Sequence, residues 1–311
     1  MSLDGPVEVS AIVPAYFGAQ TIEACVASLL RATDGRRRQV IVVDSSGDAT
    51  AEIVRRAFPE VMMVTSATRL SVGAARNLGL SHARGRSVFF TDQDCVVPED
   101  WVARIERHLD EPGVGAAGGS LGMRNPWNLS GCGVYFLEFL THFPRRGDAS
   151  RDRNFLLGCN GGYRAEVFDA VRFPDQTLGE DVLFSESVRR AGFAVVYDPT
   201  IEVRHQNREG WGEFFRYNRK MGSAAADYHR RIGGRLSNVA LRFPFLAFGA
   251  PLWILPLVAT RLVRSRWSYL WRFLLLSPLC LAGNLVWAYA FWRAARSGPA
   301  RVGFAPDALG S

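Results

Sequence analysis

Short continuous apolar runs alternate with stretches of helical spacing over the first two thirds of the chain. Val9-Ser-Ala-Ile-Val-Pro14 reads as a buried strand stopped by proline. Residues 20–32 follow with Ile22, Val26, Leu29 and Leu30 on one helical face. Gln39-Val-Ile-Val-Val-Asp44 is a second buried strand, ending in an acid. A helix over 49–57, the strand Val61-Met-Met-Val64, a helix over 72–83 and the strand Arg86-Ser-Val-Phe-Phe-Thr-Asp92 continue the series. This alternation predicts an α/β fold with a doubly wound, mostly parallel sheet, right-handed crossovers and flanking helices. Ligands of such sheets sit beyond the carboxyl ends of the strands, which singles out Pro14-Ala15-Tyr16, Asp44 and Asp92.

Beyond Asp94 the pattern predicts a helix over 101–109, a Gly-rich strand over 113–121 and irregular chain over 122–155. Regularity returns with Gly158-Cys-Asn-Gly-Gly-Tyr-Arg164, a helix over 180–191 and a strand over 194–197. From Leu236 the composition changes. Residues 243–260 are 18 and residues 273–292 are 20 positions without a charge, and both lengths reach across a hydrocarbon core of about 30 Å at about 1.5 Å per helical residue. The chain is therefore divided into a catalytic domain over 1–232 and a membrane-associated helical tail over 233–311.

Charge sharpens that division. Residues 1–200 hold 21 arginines against 25 acids, net −4, whereas residues 201–311 hold 16 basic residues against 5 acids, net +11. The basic residues of the tail are interleaved with Trp, Leu and Phe, which suits lipid headgroups and argues against nucleic acid as the partner. Arg261, Arg264, Arg266 and Arg272 lie between the two apolar segments, and Arg293, Arg296 and Arg301 follow the second. If both segments cross, four arginines face outward, against the positive-inside tendency. Pro244, Pro251 and Pro256 also interrupt the first segment. The first segment is expected to re-enter or lie at the interface, and the second to span or lie shallow; two helices capping a soluble core are the alternative. The start of the chain has no basic, apolar leader pattern, so the catalytic domain is expected at the cytoplasmic face of the cell membrane. Five cysteines without a C-x-x-C pair point to reduced thiols and exclude a zinc-ligand spacing. Nothing in the pattern specifies an oligomeric state.

The sharpest chemical feature is Thr91-Asp-Gln-Asp94, two carboxylates at i, i+2 just past a buried strand. Both reach one Mg²⁺ or Mn²⁺ and the diphosphate it bridges. The motif order resembles family 2 glycosyltransferases: Ile12-Val-Pro-Ala-Tyr16, Val42-Val-Asp44, Gly73-Ala-Ala-Arg-Asn-Leu-Gly79, Thr91-Asp-Gln-Asp94, Asn160-Gly-Gly-Tyr-Arg164 and Gly179-Glu-Asp181, over roughly residues 7–230. The resemblance implies the GT-A fold and inverting transfer of a sugar from a nucleotide-sugar donor, UDP- or GDP-linked, to a lipid-linked or saccharide acceptor at the membrane surface. It implies that Pro14, Ala15, Tyr16, Asp44, Arg76, Asp92 and Gln93 hold the nucleotide sugar, with Asn77 holding its loop. Asp94, Asp92 and His205 become the Mn²⁺ or Mg²⁺ ligands, Asp181 the general base with Glu180 beside it, and Asn160 and Gly161 contacts to donor or acceptor sugar. Members often read Asp-Asp-Gly-Ser where this chain has Asp44-Ser-Ser-Gly47, one acid fewer.

Structural alternatives stand beside each role. Asp44 also suits a capping acid, Asp92 and Asp94 Asx turns, and Glu180-Asp181 an ordinary acidic helix start. Arg76 also suits a surface ion pair, and His205 a core histidine. Trp211, Phe214, Phe215, Arg216, Tyr217 and Arg219 read as an amphipathic helix at the membrane interface. His82, His108, His142 and His229 lack any motif and are expected on the surface. A sugar-phosphate nucleotidyltransferase would want a Gly-rich loop after the first strand, where Ala15-Tyr-Phe-Gly-Ala19 has one glycine. A catalytically silent scaffold that keeps the fold is opposed by the joint presence of Asp92, Asp94 and Asp181.

Overall fold

The computed structural model describes residues 5–145, 147–151, 155–175 and 179–297; Arg301 and the rest of the chain end lie outside the described residues. Eight strands form one sheet: β1 (Val9–Ala15), β2 (Arg38–Asp44), β3 (Met62–Thr65), β4 (Ser87–Phe90), β5 (Cys95–Val96), β6 (Val114–Met123), β7 (Gly161–Arg164) and β8 (Ala194–His205). Between the first strands run α1 (Ile22–Ala32), α2 (Thr50–Ala57) and α3 (Val72–Leu80), followed by α4 (Trp101–Leu109), α5 (Leu129–Glu138), α6 (Val167–Ala170) and α7 (Glu180–Arg190). The chain closes with α8 (Trp211–Ile232), α9 (Gly234–Arg242), α10 (Pro251–Arg264) and α11 (Leu270–Arg296).

The sheet order is β3-β2-β1-β4-β7-β6-β8-β5. β1, β2, β3 and β4 pair in parallel, β7 is antiparallel to both β4 and β6, and β8 runs parallel to β6 and antiparallel to β5. The α/β sheet expected from the sequence is therefore present, with a mixed second half. Residues alternate between its faces, giving two cores. Val9, Ala11 and Val13 pack with Ile22, Val26 and Leu29 of α1 and Trp101 and Ile105 of α4. Ile12, Ile41 and Val43 pack on the other face with Ala75 of α3 and Phe184 and Val188 of α7.

Pro14 marks where the sheet opens. Ile12 O accepts from Thr91 N and Ala15 O from Ser45 N, so even positions of β1 face β4 and odd positions face β2. β4 pairs only up to Ile12. Pro14 thus presents its missing donor to a side that β4 has already left, and no ladder bond is lost.

Two sequence expectations are corrected. Residues 122–155 are not wholly irregular, because α5 forms with Asn128 accepting from Gly131 N at its start. Gly131 and Gly133 hide it from periodicity, and Gly133 lets α8 come close: a Cβ there would lie 3.1 Å from the Phe214 ring. The strand expected over 194–197 continues to His205, because the slip in register between Gly119 and Ser120 absorbs Pro199 in a bulge. In the aromatic stretch expected to form an amphipathic helix, Phe214, Asn218, Gly222 and Ala226 are the buried face of α8, Tyr217 donates to Glu138, and Trp211, Arg216 and Arg219 stay exposed. α11 adds Phe273, Leu276 and Cys280 to the same core as β1 and α1.

The segments Pro244–Arg264 and Trp267–Arg296 are long and apolar enough to cross a membrane. They are nevertheless tied to the catalytic domain by Arg261 donating to Leu140 O at 2.8 Å and by an Arg266–Glu202 ion pair. All five cysteines are buried free thiols.

α3 approaches β1 through Gly79, where a Cβ would stand 2.4 Å from Ile12 Cγ2. Gly79→Val should overpack this contact at a cost of about 1–3 kcal/mol, read as a lowered thermal midpoint. An unchanged midpoint would show that α3 moves away freely.

Candidate active site

The carboxyl ends of β1 and β4, the first turns of α3 and α7, the end of β8 and one side of α8 enclose a cavity of about 540 Å³. That volume suits a small-molecule site. Its walls include Pro14, Ala15, Tyr16, Arg76, Asp92, Gln93, Asp94, Glu180, Asp181 and His205, so ten positions singled out in the sequence meet in one place.

Arg76 holds the cavity floor together. Its Nη1 donates to Glu180 Oε1 at 2.8 Å and its Nη2 to Asp92 Oδ1 at 2.9 Å. The side chain is fully buried and lies over the Phe173 ring at 5.3 Å. Asn77 fixes that ring's backbone twice, donating to Phe173 O and accepting from Phe173 N. Gly158 lets the guanidinium pass, since a Cβ there would lie 2.4 Å from Nη1. The resemblance had Arg76 facing the nucleotide; here its two terminal nitrogens are committed to carboxylates on separate elements. Glu180 is correspondingly engaged by Arg76.

Asp181 stands next to that clamp in the first turn of α7, where the helix dipole favours an anion. It accepts from Val182 N at 2.8 Å. Burial, and then the neighbouring Glu180 carboxylate, push its carboxyl up to about 7 against the opposing pull of Arg76. A group with that property accepts a proton near neutral pH.

On the β8 side, the bulge delivers His205 so that its Nε2 lies 3.3 Å from Asp94 Oδ2. Its Nδ1 lies 2.9 Å from Asn207 Oδ1, which orients the ring. Burial alone would lower the imidazole's pKa; the facing Asp94 carboxylate outweighs it and pushes the value up to about 10. Burial likewise opposes ionisation of Asp94, and His205 overrides it, holding the carboxyl below its ordinary value. Asp94, Cys95 and His205 have ligand atoms within 4.8 Å of one another. Carboxylate oxygen and imidazole nitrogen are a donor set that fits a divalent cation such as Mn²⁺. Burial pushes the Cys95 thiol well up, and a soft sulfur suits a hard cation less well than the oxygen and nitrogen donors beside it. Asp92 is not a member of this group and is paired to Arg76 instead.

The opposite strand end supplies a platform. Gln93 grips the Tyr16 backbone at two points, Oε1 accepting from Tyr16 N at 2.7 Å and Nε2 donating to Tyr16 O at 2.9 Å. Phe17, next in the chain, takes φ 54°, a left-handed conformation unusual for a side chain of its size. The Arg69 guanidinium stacks over the Tyr16 ring at 4.6 Å.

Three expected residues are not among the cavity's lining. Asp44 is buried with Oδ1 accepting from both the backbone N and the hydroxyl of Ser46, and Ser45 lines the wall instead. Asn160 is a core brace: it donates to Ser120 O and Ile201 O and accepts from Trp101 Nε1. Gly161 pairs with Phe90 and Gly118 inside the sheet. Conversely, the cavity includes Glu138, Arg208, Tyr217 and Lys220, which no motif marked. Tyr217 donates to Glu138, and Arg208 lies over the Tyr217 ring at 4.3 Å. The only sequence signal was the aromatic-basic stretch itself. His142, expected on the surface, is buried and also lines the cavity.

A family model described as glycosyl transferase family 2 matches residues 10–172. The glycosyltransferase AglE of Haloferax volcanii is 26% identical over 254 residues, covering 79% of this chain and 80% of that protein. The succinoglycan biosynthesis protein ExoO of Rhizobium meliloti is 29% identical over 226 residues, covering 67% of this chain and 63% of that protein. Among solved structures, the mannosyltransferase PcManGT of Pyrobaculum calidifontis, in complex with GDP-Man and Mn²⁺, superposes with a TM-score of 0.62 at 20% identity, over 95% of this chain and 89% of that one.

Arg76→Met keeps much of the bulk but leaves Glu180 and Asp92 without their cation. Removing one partner of a buried pair costs about 3–5 kcal/mol, so the thermal midpoint should fall sharply. Asp92→Asn, at the partly exposed end of the clamp, should cost less.

Proposed function

The chain belongs to glycosyl transferase family 2 and is a glycosyltransferase; from that premise we propose that it transfers a sugar, with inversion, from a UDP- or GDP-linked donor to a membrane-associated acceptor in polysaccharide or glycolipid biosynthesis. The observation that carries this reading is a single cavity containing both the Asp94–His205 pair and Asp181, whose carboxyl is held at about 7. The Mn²⁺ and GDP-Man of the mannosyltransferase and the succinoglycan role in the name of the Rhizobium relative support it.

In this reading the Tyr16 ring, backed by Arg69, receives the nucleotide base, and Pro14, Ala15 and Ser45 approach it with backbone and small side chains. Asp94 and His205 would hold Mn²⁺ or Mg²⁺, which would neutralise charge on the leaving diphosphate. Asp92 stays fixed by Arg76 at the edge of the diphosphate position. Asp181 takes the proton from the acceptor hydroxyl as its oxygen attacks the anomeric carbon and the bond to the diphosphate breaks. Glu180 and Arg76 keep that carboxyl aimed and its affinity for a proton near neutrality. Arg208 and Lys220 add positive charge on the α8 wall, where a phosphorylated acceptor would lie.

Asp181→Asn should reduce turnover by at least a hundredfold while a donor thermal-shift with Mn²⁺ persists. Because a raised carboxyl works as a base only when ionised, the wild-type rate should climb through pH 7 and be lost below it. A rate flat from pH 5 to 8 would remove Asp181 as the base. In His205→Ala, the Mn²⁺-dependent part of the donor shift should disappear; its survival would assign the cation elsewhere.

A further inference from the structure

We propose that this enzyme is monotopic: α9, α10 and α11 lie along one anionic leaflet, on the same side as the catalytic domain, and do not cross it. The proposal does not depend on the chemistry assigned to the cavity.

Three observations carry it. The first is an uncovered apolar face. On α11 the buried positions Phe273, Leu276, Cys280 and Phe291 follow one helical stripe against the protein, while Trp271, Leu274, Leu275, Leu279, Leu285 and Tyr289 form the outer stripe. Both stripes are apolar, so burial by protein accounts for only one of them. Leu236 of α9 (84% exposed), Leu252 of α10 (83%) and Trp267 (76%) are exposed as well, and Arg272 lies over both Trp271 and the exposed Trp127 of the catalytic domain. An exposed apolar stripe of this length on α11, with further exposed apolar side chains on α9 and α10, marks a contact surface.

The second observation fixes its orientation. α11 is fastened to the catalytic domain along its length, so it is not free to stand upright. Near its start, Phe273 packs edge-on against Phe136 of α5 at 5.4 Å. Further along, Gly283 admits the Phe214 ring and Gly222 of α8 meets Trp287 O, each so tightly that a Cβ would clash. Near its end, His229 packs on Phe291 and Arg230 donates to Ala294 O. α8 and α11 therefore run side by side in the same direction. A perpendicular α11 would drag α8 into the hydrocarbon with Asp227, Arg230 and Arg231, and charge there is costly. Lying flat, α11 presents its outer stripe to acyl chains and keeps α8 in water.

The third observation selects the occupant. Residues 233–297 contain eight arginines and no acid. Arg235, Arg242, Arg264, Arg293 and Arg296 are exposed, and Trp253, Trp267 and Trp271 sit among them. Tryptophan and arginine at the edge of an apolar face suit the headgroup region of an anionic membrane. A second copy on this face would bring like charges together without one carboxylate to offset them. The arrangement also places the cavity one helix away from the lipid: Tyr217, Lys220 and Met221 of α8 line the cavity, while Phe214, Asn218 and Gly222 of the same helix meet α11.

All native cysteines are buried, so a membrane-impermeant maleimide reports introduced thiols. Ser268→Cys places one in the exposed turn between α10 and α11, and Glu60→Cys places a reference on the catalytic domain. In sealed right-side-out and inverted membrane vesicles, Ser268→Cys should label from the same side as Glu60→Cys, or only after detergent is added. Labelling from the opposite side alone would show a crossing hairpin and overturn the proposal. Purified full chain should float with phosphatidylglycerol vesicles, and Trp253→Glu/Trp267→Glu should cut flotation at least tenfold while retaining the donor thermal shift. Equal flotation with phosphatidylcholine, or failure to float accompanied by a stable symmetric dimer, would equally overturn it.

Discussion

The buried Arg76 guanidinium is the constraint from which the cavity takes its shape. It joins α3 to the end of the next strand, β4, through Asp92 and to the start of the distant α7 through Glu180. A charge so enclosed is tolerated only with its partners in place, so the clamp admits few relative positions of those elements. Gly158 and Phe173 complete the enclosure, one by having no side chain and the other by its ring. The proton affinity of Asp181 follows from the same arrangement: burial and Glu180 raise it, and Arg76 limits the rise.

A second pair, Asp94 with His205, is set by the sheet's other half. Its formation depends on the β8 bulge, which takes the chain past Pro199 without losing β6, and on the short antiparallel pairing of Cys95 with His205. Each side chain favours the charged form of the other, the imidazole's pKa being raised and the carboxyl's lowered by the pairing. The two anchors thus stand on opposite halves of one sheet, and the cavity is where β1 and β4 part at Pro14.

The C-terminal helices are part of this scaffold. α11 contributes Phe273, Leu276 and Cys280 to the core and packs on α5, while α8 has one side on α11 and another on the cavity. Tyr217 and Glu138, joined on the α8 wall, connect that helix to α5.

The sequence by itself determined the strand–helix series of the first hundred residues, because buried strands and amphipathic helices leave different periods. It also marked Asp92, Asp94, Asp181, Arg76 and His205, which stand at strand ends or helix starts in recognisable strings, and these do meet in one cavity. It did not reveal α5, whose glycines mask a helix stabilised by packing on Phe214, nor the extension of β8 beyond a proline. Hydrogen-bond partners were equally hidden. Asn160 is used up by Ser120, Ile201 and Trp101, Asp44 by Ser46, and Arg76 by two acids, all non-local pairings except the Asp44 turn. Glu138, Arg208 and Tyr217 gained their place only when α5 and α8 packed together. Local periodicity decides which elements form; the burial of charge, summed over contacts distant in sequence, decides which side chains remain available to a substrate.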